Sequence, residues 1–127
     1  MLPLRHRPLW AVLSALLVGV VVYGSLQPVP SLPVPGGFDK VEHLSTYFAL
    51  ALWFTGLYPR TAYWKVAAGL LALGLSMEVL QEVMKAGRSG EALDMLANTV
   101  GVAGGVLSAM ALTGGWARRV DSWLSRD

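Results

Sequence analysis

Residues 9–26 (LWAVLSALLVGVVVYGSL) run for 18 positions without a charged side chain, and no other feature restricts the fold of this chain as much. At about 1.5 Å per residue, a helix of that length reaches roughly 27 Å, close to the ~30 Å hydrocarbon core of a bilayer. Arg5, His6 and Arg7 stand just before it, as basic residues do before a secretory signal. The run is longer than the ~7–15-residue apolar region of a signal peptide, and the PVPSLPVP that follows offers no small-x-small cleavage site. The expectation is a retained membrane helix. Composition points the same way: 54% of residues are hydrophobic and only 14% charged, and the mean hydropathy is +0.52. Soluble domains carry about 25% charged residues, so 127 residues of this kind cannot coat a globule and are read as one integral membrane domain, 1–127. The absence of cysteine excludes disulfides, thiolate metal sites and a cysteine nucleophile. A net charge of +2 is too small to argue for nucleic acid.

The remaining apolar runs are short. Residues 44–57 give 14 uncharged positions and residues 66–77 only 12. Twelve helical residues reach about 18 Å, and a backbone that stopped there in lipid would expose N–H and C=O groups at several kcal/mol each. The second and third helices must therefore extend into flanking polar sequence. The predicted spans are about 9–26, 39–57, 64–84 and 93–113, an all-α, four-helix integral membrane bundle. Seven of the ten basic residues (Arg5, Arg7, Arg60, Lys65, Arg118, Arg119, Arg126) fall on one side of this topology, against Lys40, Lys85 and Arg88 on the other. The positive-inside rule puts both termini in the cytoplasm, and Trp10, Tyr58, Tyr63, Trp64 and Trp116 form an aromatic belt at that face. Residues 27–37, with four of the seven prolines, read as an extended outer loop. Small residues four apart (Ala97, Gly101, Gly105, Ala109) give the fourth helix a close-packing face. Ala15 and Gly19 in the first helix, and Ala68, Ala72 and Ser76 in the third, follow the same spacing.

The extension of helices into polar sequence has a consequence. The start of helix two, the end of helix three and the start of helix four lie on one side, and each carries a polar ladder at helical spacing. The ladders are Asp39, His43 and Tyr47, then Glu78, Gln81 and Glu82, then Asp94 and Asn98, which leads on to Gly101. Gly74 leaves room beneath Glu78, the deepest acid. One reading is that these groups only tie three helices together. Ser, Thr, Asn and Gln serve that purpose for roughly 1 kcal/mol per contact. A carboxylate near a helix centre costs about 2.5–3.5 kcal/mol on insertion scales. Asp39, Glu78, Glu82 and Asp94 exceed Lys40 and Arg88 by two charges, an excess to be relieved by protons, a cation or a cationic ligand. The expectation is a functional pocket open to the outer side, with Arg88 swinging over it from the turn between helices three and four. Glu42 and Glu91 read as solvated, and His6 with its arginines as a topology signal that also suits anionic lipid. Nothing matches a nucleophile elbow, a P-loop or a zinc-protease helix.

At these residues the chain resembles the VanZ-like membrane proteins. The resemblance lies in the ordered set DKVEH…Y (Asp39, Lys40, His43, Tyr47), E..Q (Glu78, Gln81) and GR.....D...N..G...G (Gly87, Arg88, Asp94, Asn98, Gly101, Gly105), covering about residues 39–105. Glu82 and Glu91 are not among the positions it carries over. The resemblance implies a small helical membrane domain of the cell envelope linked to low-level teicoplanin resistance, and supplies no reaction. Two mechanisms stay open. In one, the pocket binds or translocates an amphiphile, such as a lipopeptide or a lipid-linked cell-wall precursor, with His43 and Glu78 exchanging protons. Translocation would need an oligomer, because four short helices leave little room for a pathway. In the other, Asp39, His43, Glu78 and Asp94 hold a divalent cation, Arg88 binds a phosphate, and the site is a hydrolase or transferase. No residue looks like an activated nucleophile, which favours binding.

Overall fold

The computed structural model of the protein describes residues 1–26, 38–84 and 92–126, and of Phe38 and Asp39 the backbone alone. The described residues form five α-helices: α1 (Arg7–Ser25), α2 (Phe38–Leu57), α3 (Tyr63–Met84), α4 (Ala92–Ser108) and α5 (Trp116–Leu124). No strand occurs among them. The first four lie close to the predicted spans, whereas α5 follows the last of them, where no helix is predicted. The expected outer loop of residues 27–37 and the turn carrying Arg88 lie outside the described residues.

Local chemistry explains the boundaries. Pro8 occupies the first turn of α1, where its missing N–H costs nothing. After α2, Pro59 starts a 3₁₀ turn, Arg60–Ala62, in which the Ala62 N–H bonds back to the Pro59 carbonyl at 2.8 Å. The end of α4 widens into a π turn, Ala109–Thr113, whose i+5 bond runs from the Gly114 N–H to the Ala109 carbonyl at 3.0 Å. Gly115 then takes a left-handed φ of 71°, open to a residue without Cβ, and turns the chain into α5.

Three stretches are long and apolar enough to cross a membrane: Arg7–Ser25, Arg60–Met84 and Ala92–Thr113. Their outward faces carry large aliphatic side chains, with Val20 68% and Val83 72% exposed. A soluble monomer rarely shows apolar surface on this scale. By length and composition α2 is not among the three, although the sequence reading counted it as a span. Its first turns hold Asp39, Lys40, Glu42 and His43. It occupies the middle of the fold and packs against α1, α3, α4 and α5, so protein rather than lipid surrounds much of it.

The tightest approach is between α2 and α4. A Cβ on Gly101 would strike the Leu44 carbonyl oxygen and lie 3.0 Å from the Phe48 nitrogen. A Cβ on Gly105 would strike the Ala51 side chain and lie 2.9 Å from the Phe48 carbonyl oxygen. Ala97 and Ala109, on the same stripe, are buried. Close backbone approach is what small residues permit where no hydrophobic effect drives helices together. The other two stripes do no such packing. Gly19 has no neighbour within 4 Å of a Cβ position, and Ala15, Ala68, Ala72 and Ser76 are exposed. The Ser76 hydroxyl donates to its own helix at the Ala72 carbonyl. A small-residue spacing permits close packing without specifying which helix uses it. Beneath this contact, Tyr47, Leu50, Ala51, Leu70 and Val102 form one buried apolar cluster.

Candidate functional site

Chain direction brings the amino-terminal ends of α2 and α4 beside the carboxy-terminal end of α3, and two layers of polar side chains meet there. The first layer is His43, Glu78 and Asp94. The His43 Nδ1 lies 3.9 Å from Glu78 Oε1, and its Nε2 lies 3.7 Å from Asp94 Oδ2. The Lys40 ammonium, one turn before His43, reaches Asp94 Oδ1 at 2.7 Å. Glu78 and Asp94 are buried, and His43 is nearly so.

The second layer lies one helical turn further in: Tyr47 after His43, Asn98 after Asp94, and Gly74 before Glu78. Asn98 is 1% exposed and Tyr47 2%. The His43 ring donates from Nδ1 to Asn98 Oδ1 at 3.0 Å and so joins the layers. A Cβ on residue 74 would lie 2.9 Å from Asn98 Nδ2 and 3.4 Å from the Tyr47 ring. Gly74 therefore makes room for Asn98 and Tyr47, a different role from clearing space under Glu78. Among the described residues, neither the Tyr47 hydroxyl nor Asn98 Nδ2 has a hydrogen-bond partner, although both are buried. Leaving such groups unmatched costs about 1–3 kcal/mol each.

The other residues of the sequence-level constellation divide. Gln81 is buried away from His43, and its side-chain N–H donates at 2.6 Å to the Ser25 carbonyl, one of the carbonyls that the end of α1 leaves without a helical partner. It ties α3 to α1. Glu82 is exposed. With Leu75, Glu78, Val79, Val83, Ala92, Met95, Leu96 and Thr99 it lines a groove of about 620 Å³ between α3 and α4, almost wholly apolar apart from the two carboxylates and Thr99. Glu42 is exposed. The Asp39 side chain, Arg88 and Glu91 lie outside the described residues. Gly101 and Gly105 stand beyond the polar layers and set the α2–α4 spacing that lets His43 reach Asn98.

Sequence reasoning missed a third buried carboxylate, at the opposite end. Asp121 of α5 accepts from the Arg5 N–H at 2.6 Å, the His6 N–H at 3.1 Å and the Trp10 indole N–H at 2.9 Å, and it pairs with the His6 ring at 2.9 Å. Burial pulls its carboxyl upward, but the hydrogen bonds from Trp10, Arg5 and His6 outweigh it and hold the group well below the usual carboxylate range. Around it, Leu2, Leu4, Trp10, Leu57 and Ala117 are buried together. Trp116 packs edge to face against Trp10 and Trp53, which are tilted to each other, with centroids 5.3 to 6.0 Å apart. The one available signal was the pairing of Ala117 with Asp121, four apart on a segment whose other face carries Arg118, Arg119 and Ser122. His6 is thus a partner of Asp121 as well as a member of a basic cluster.

No family model, no curated protein and no solved structure matches this chain.

Proposed function

We propose that the chain is a VanZ-like integral membrane protein of the cell envelope that binds an amphiphilic or lipid-linked ligand at the α2–α3–α4 polar layers. In this reading α1 to α4 all cross the membrane, both termini are cytoplasmic, and the polar layers face outward. The observation that supports it most is the groove between α3 and α4, whose apolar wall runs into Glu78, a member of the buried polar layer. A hydrocarbon chain entering sideways from the bilayer would lie along Leu75, Val79, Val83 and Leu96, and its polar end would meet Glu78. Charged side chains within membrane helices are costly and mark ligand or ion sites more often than structural ones. The basic residues support the orientation, seven against three.

Two measurements test this. Expressed in a teicoplanin-sensitive host, the wild-type chain should raise the inhibitory concentration severalfold. Glu78→Gln should abolish that gain at equal expression, and Glu91→Gln should keep it. A fully active Glu78→Gln would make the polar layers purely structural, and a wild type without effect would end the resistance reading. Cysteine at Pro30 or Arg88 should react with an impermeant maleimide on intact cells, and cysteine at Thr61 should not. The reverse pattern would place the polar layers inside.

A further inference from the structure

We propose that His43, Glu78 and Asp94 form a binding site for one first-row divalent cation of the zinc type. Each offers a ligand atom, and the three atoms lie within 4.8 Å of one another. Zinc–ligand bonds of about 2.0–2.2 Å separate tetrahedral ligand atoms by roughly 3.4 Å. His43 Nε2 and Asp94 Oδ2, 3.7 Å apart, stand close to that separation already.

The hydrogen bonding around the ring carries the inference further than proximity does. Asn98 Oδ1 can only accept, so His43 Nδ1 donates to it and Nε2 is the ring nitrogen left facing Asp94. At 3.7 Å that pair is beyond hydrogen-bond range. That separation leaves room for a cation between the two atoms. A hydrogen bond from the non-ligating ring nitrogen to a protein oxygen is the usual device that orients a metal-binding histidine. Asp94 is divided in a compatible way: Oδ1 takes the Lys40 ammonium at 2.7 Å, and Oδ2 faces His43. Lys40 thus leaves one carboxylate oxygen to the site and moderates its negative charge.

The layer beneath supplies an independent observation. The Tyr47 hydroxyl and Asn98 Nδ2 are buried and have no hydrogen-bond partner among the described residues, and the Tyr47 ring and Asn98 Nδ2 pack around Gly74, one helical turn from the three ligands. They would suit a water or an anionic oxygen completing the coordination sphere, since three protein ligands leave a fourth position open. One imidazole with two carboxylates and no thiolate suits zinc or manganese, and its imidazole makes magnesium and calcium poorer fits.

The proposal stands apart from the amphiphile reading, because cation binding is measured without lipid ligand. Tag-free protein in detergent, stripped with a chelator, is titrated with Zn²⁺ by calorimetry, and bound metal is counted after desalting. The expected result is one Zn²⁺ per chain, with affinity at least tenfold lower in His43→Ala, Glu78→Gln and Asp94→Asn and unchanged in Glu91→Gln. Circular dichroism and gel filtration identify any variant that fails to fold. X-ray absorption on the wild-type zinc complex gives a second readout that needs no variant, and should show nitrogen and oxygen ligands with the outer-shell scattering of one imidazole. Folded wild type that binds no stoichiometric zinc would overturn the proposal. So would zinc held equally well by the three variants, or an absorption spectrum without imidazole.

Discussion

Replacing Gly101 by alanine tests the link between helix packing and the polar layers. The new methyl group would meet the Leu44 carbonyl oxygen and lie 3.0 Å from the Phe48 nitrogen, both of them backbone atoms of α2. Backbone cannot swing aside as a side chain can, so α2 and α4 must separate by about 1 Å to restore ordinary van der Waals distances. Overpacking of this kind costs roughly 1–3 kcal/mol. Alanine returns up to ~1 kcal/mol of helix propensity, so the net loss should be about 0–2 kcal/mol, or about 1–3 kcal/mol relative to a glycine-to-alanine change that meets no neighbour. Gly69→Ala is the matched control: nothing lies within 4 Å of its Cβ position, and it should be neutral or slightly stabilising. Unfolding in mixed detergent–SDS micelles, followed by the fluorescence of the five tryptophans, measures both. A separation of 1 Å at Gly101 also reaches the 3.0 Å bond between His43 and Asn98, since those residues sit one and three positions away from the contact. Gly101→Ala should therefore weaken Zn²⁺ binding while keeping every proposed ligand. If it proves as stable as Gly69→Ala, backbone-to-backbone approach of α2 and α4 is not what holds the polar layers together.

Asp121→Asn should loosen the first six residues from α5, because a neutral amide cannot accept from all the donors that Arg5, His6 and Trp10 aim at the carboxylate. Protease nicking before α1 should increase, and the thermal midpoint should fall. The Asp121 carboxyl is held below its ordinary value near 3.8, so its stabilising contribution is complete above that pH and is lost as pH falls below it toward the folded value. The gap between wild type and Asp121→Asn should narrow as pH falls below about 4. A gap that widens in acid would contradict the assigned hydrogen bonds. Gly56→Ala should drive the Trp116 indole out of its seat, since a Cβ there would strike the ring. It should break the indole N–H bond to the Leu52 carbonyl, 2.7 Å in the wild type, at a cost of about 1–3 kcal/mol, read in the same micelle assay and in a shifted tryptophan emission.

The amino-acid order by itself was enough for the helices and for the end of the fold where the acids gather. An uncharged run has one stable state in lipid, and short runs must extend until their backbone is satisfied, so the positions of α1 to α4 were legible. Alternating chain direction then put His43, Glu78, Asp94 and Asn98 at one end of the fold without any knowledge of packing. The fifth helix was not legible in the same way. Trp116–Leu124 is short and charged, and it is held by Leu2, Leu4 and Trp10, residues more than a hundred positions away. Only the tertiary structure distinguished the one working small-residue stripe, at Gly101 and Gly105, from those at Gly19 and Ala72, because spacing alone does not specify which helix comes to lie against which. The same holds for rotation about a helix axis. Glu78, Gln81 and Glu82 look like one polar stripe in sequence, yet a turn covers 360° in about 3.6 residues. Packing sends Glu78 to His43, Gln81 to the end of α1 and Glu82 to the open groove. Periodicity places a residue within one turn, and only the neighbouring helices decide which of several polar partners it meets.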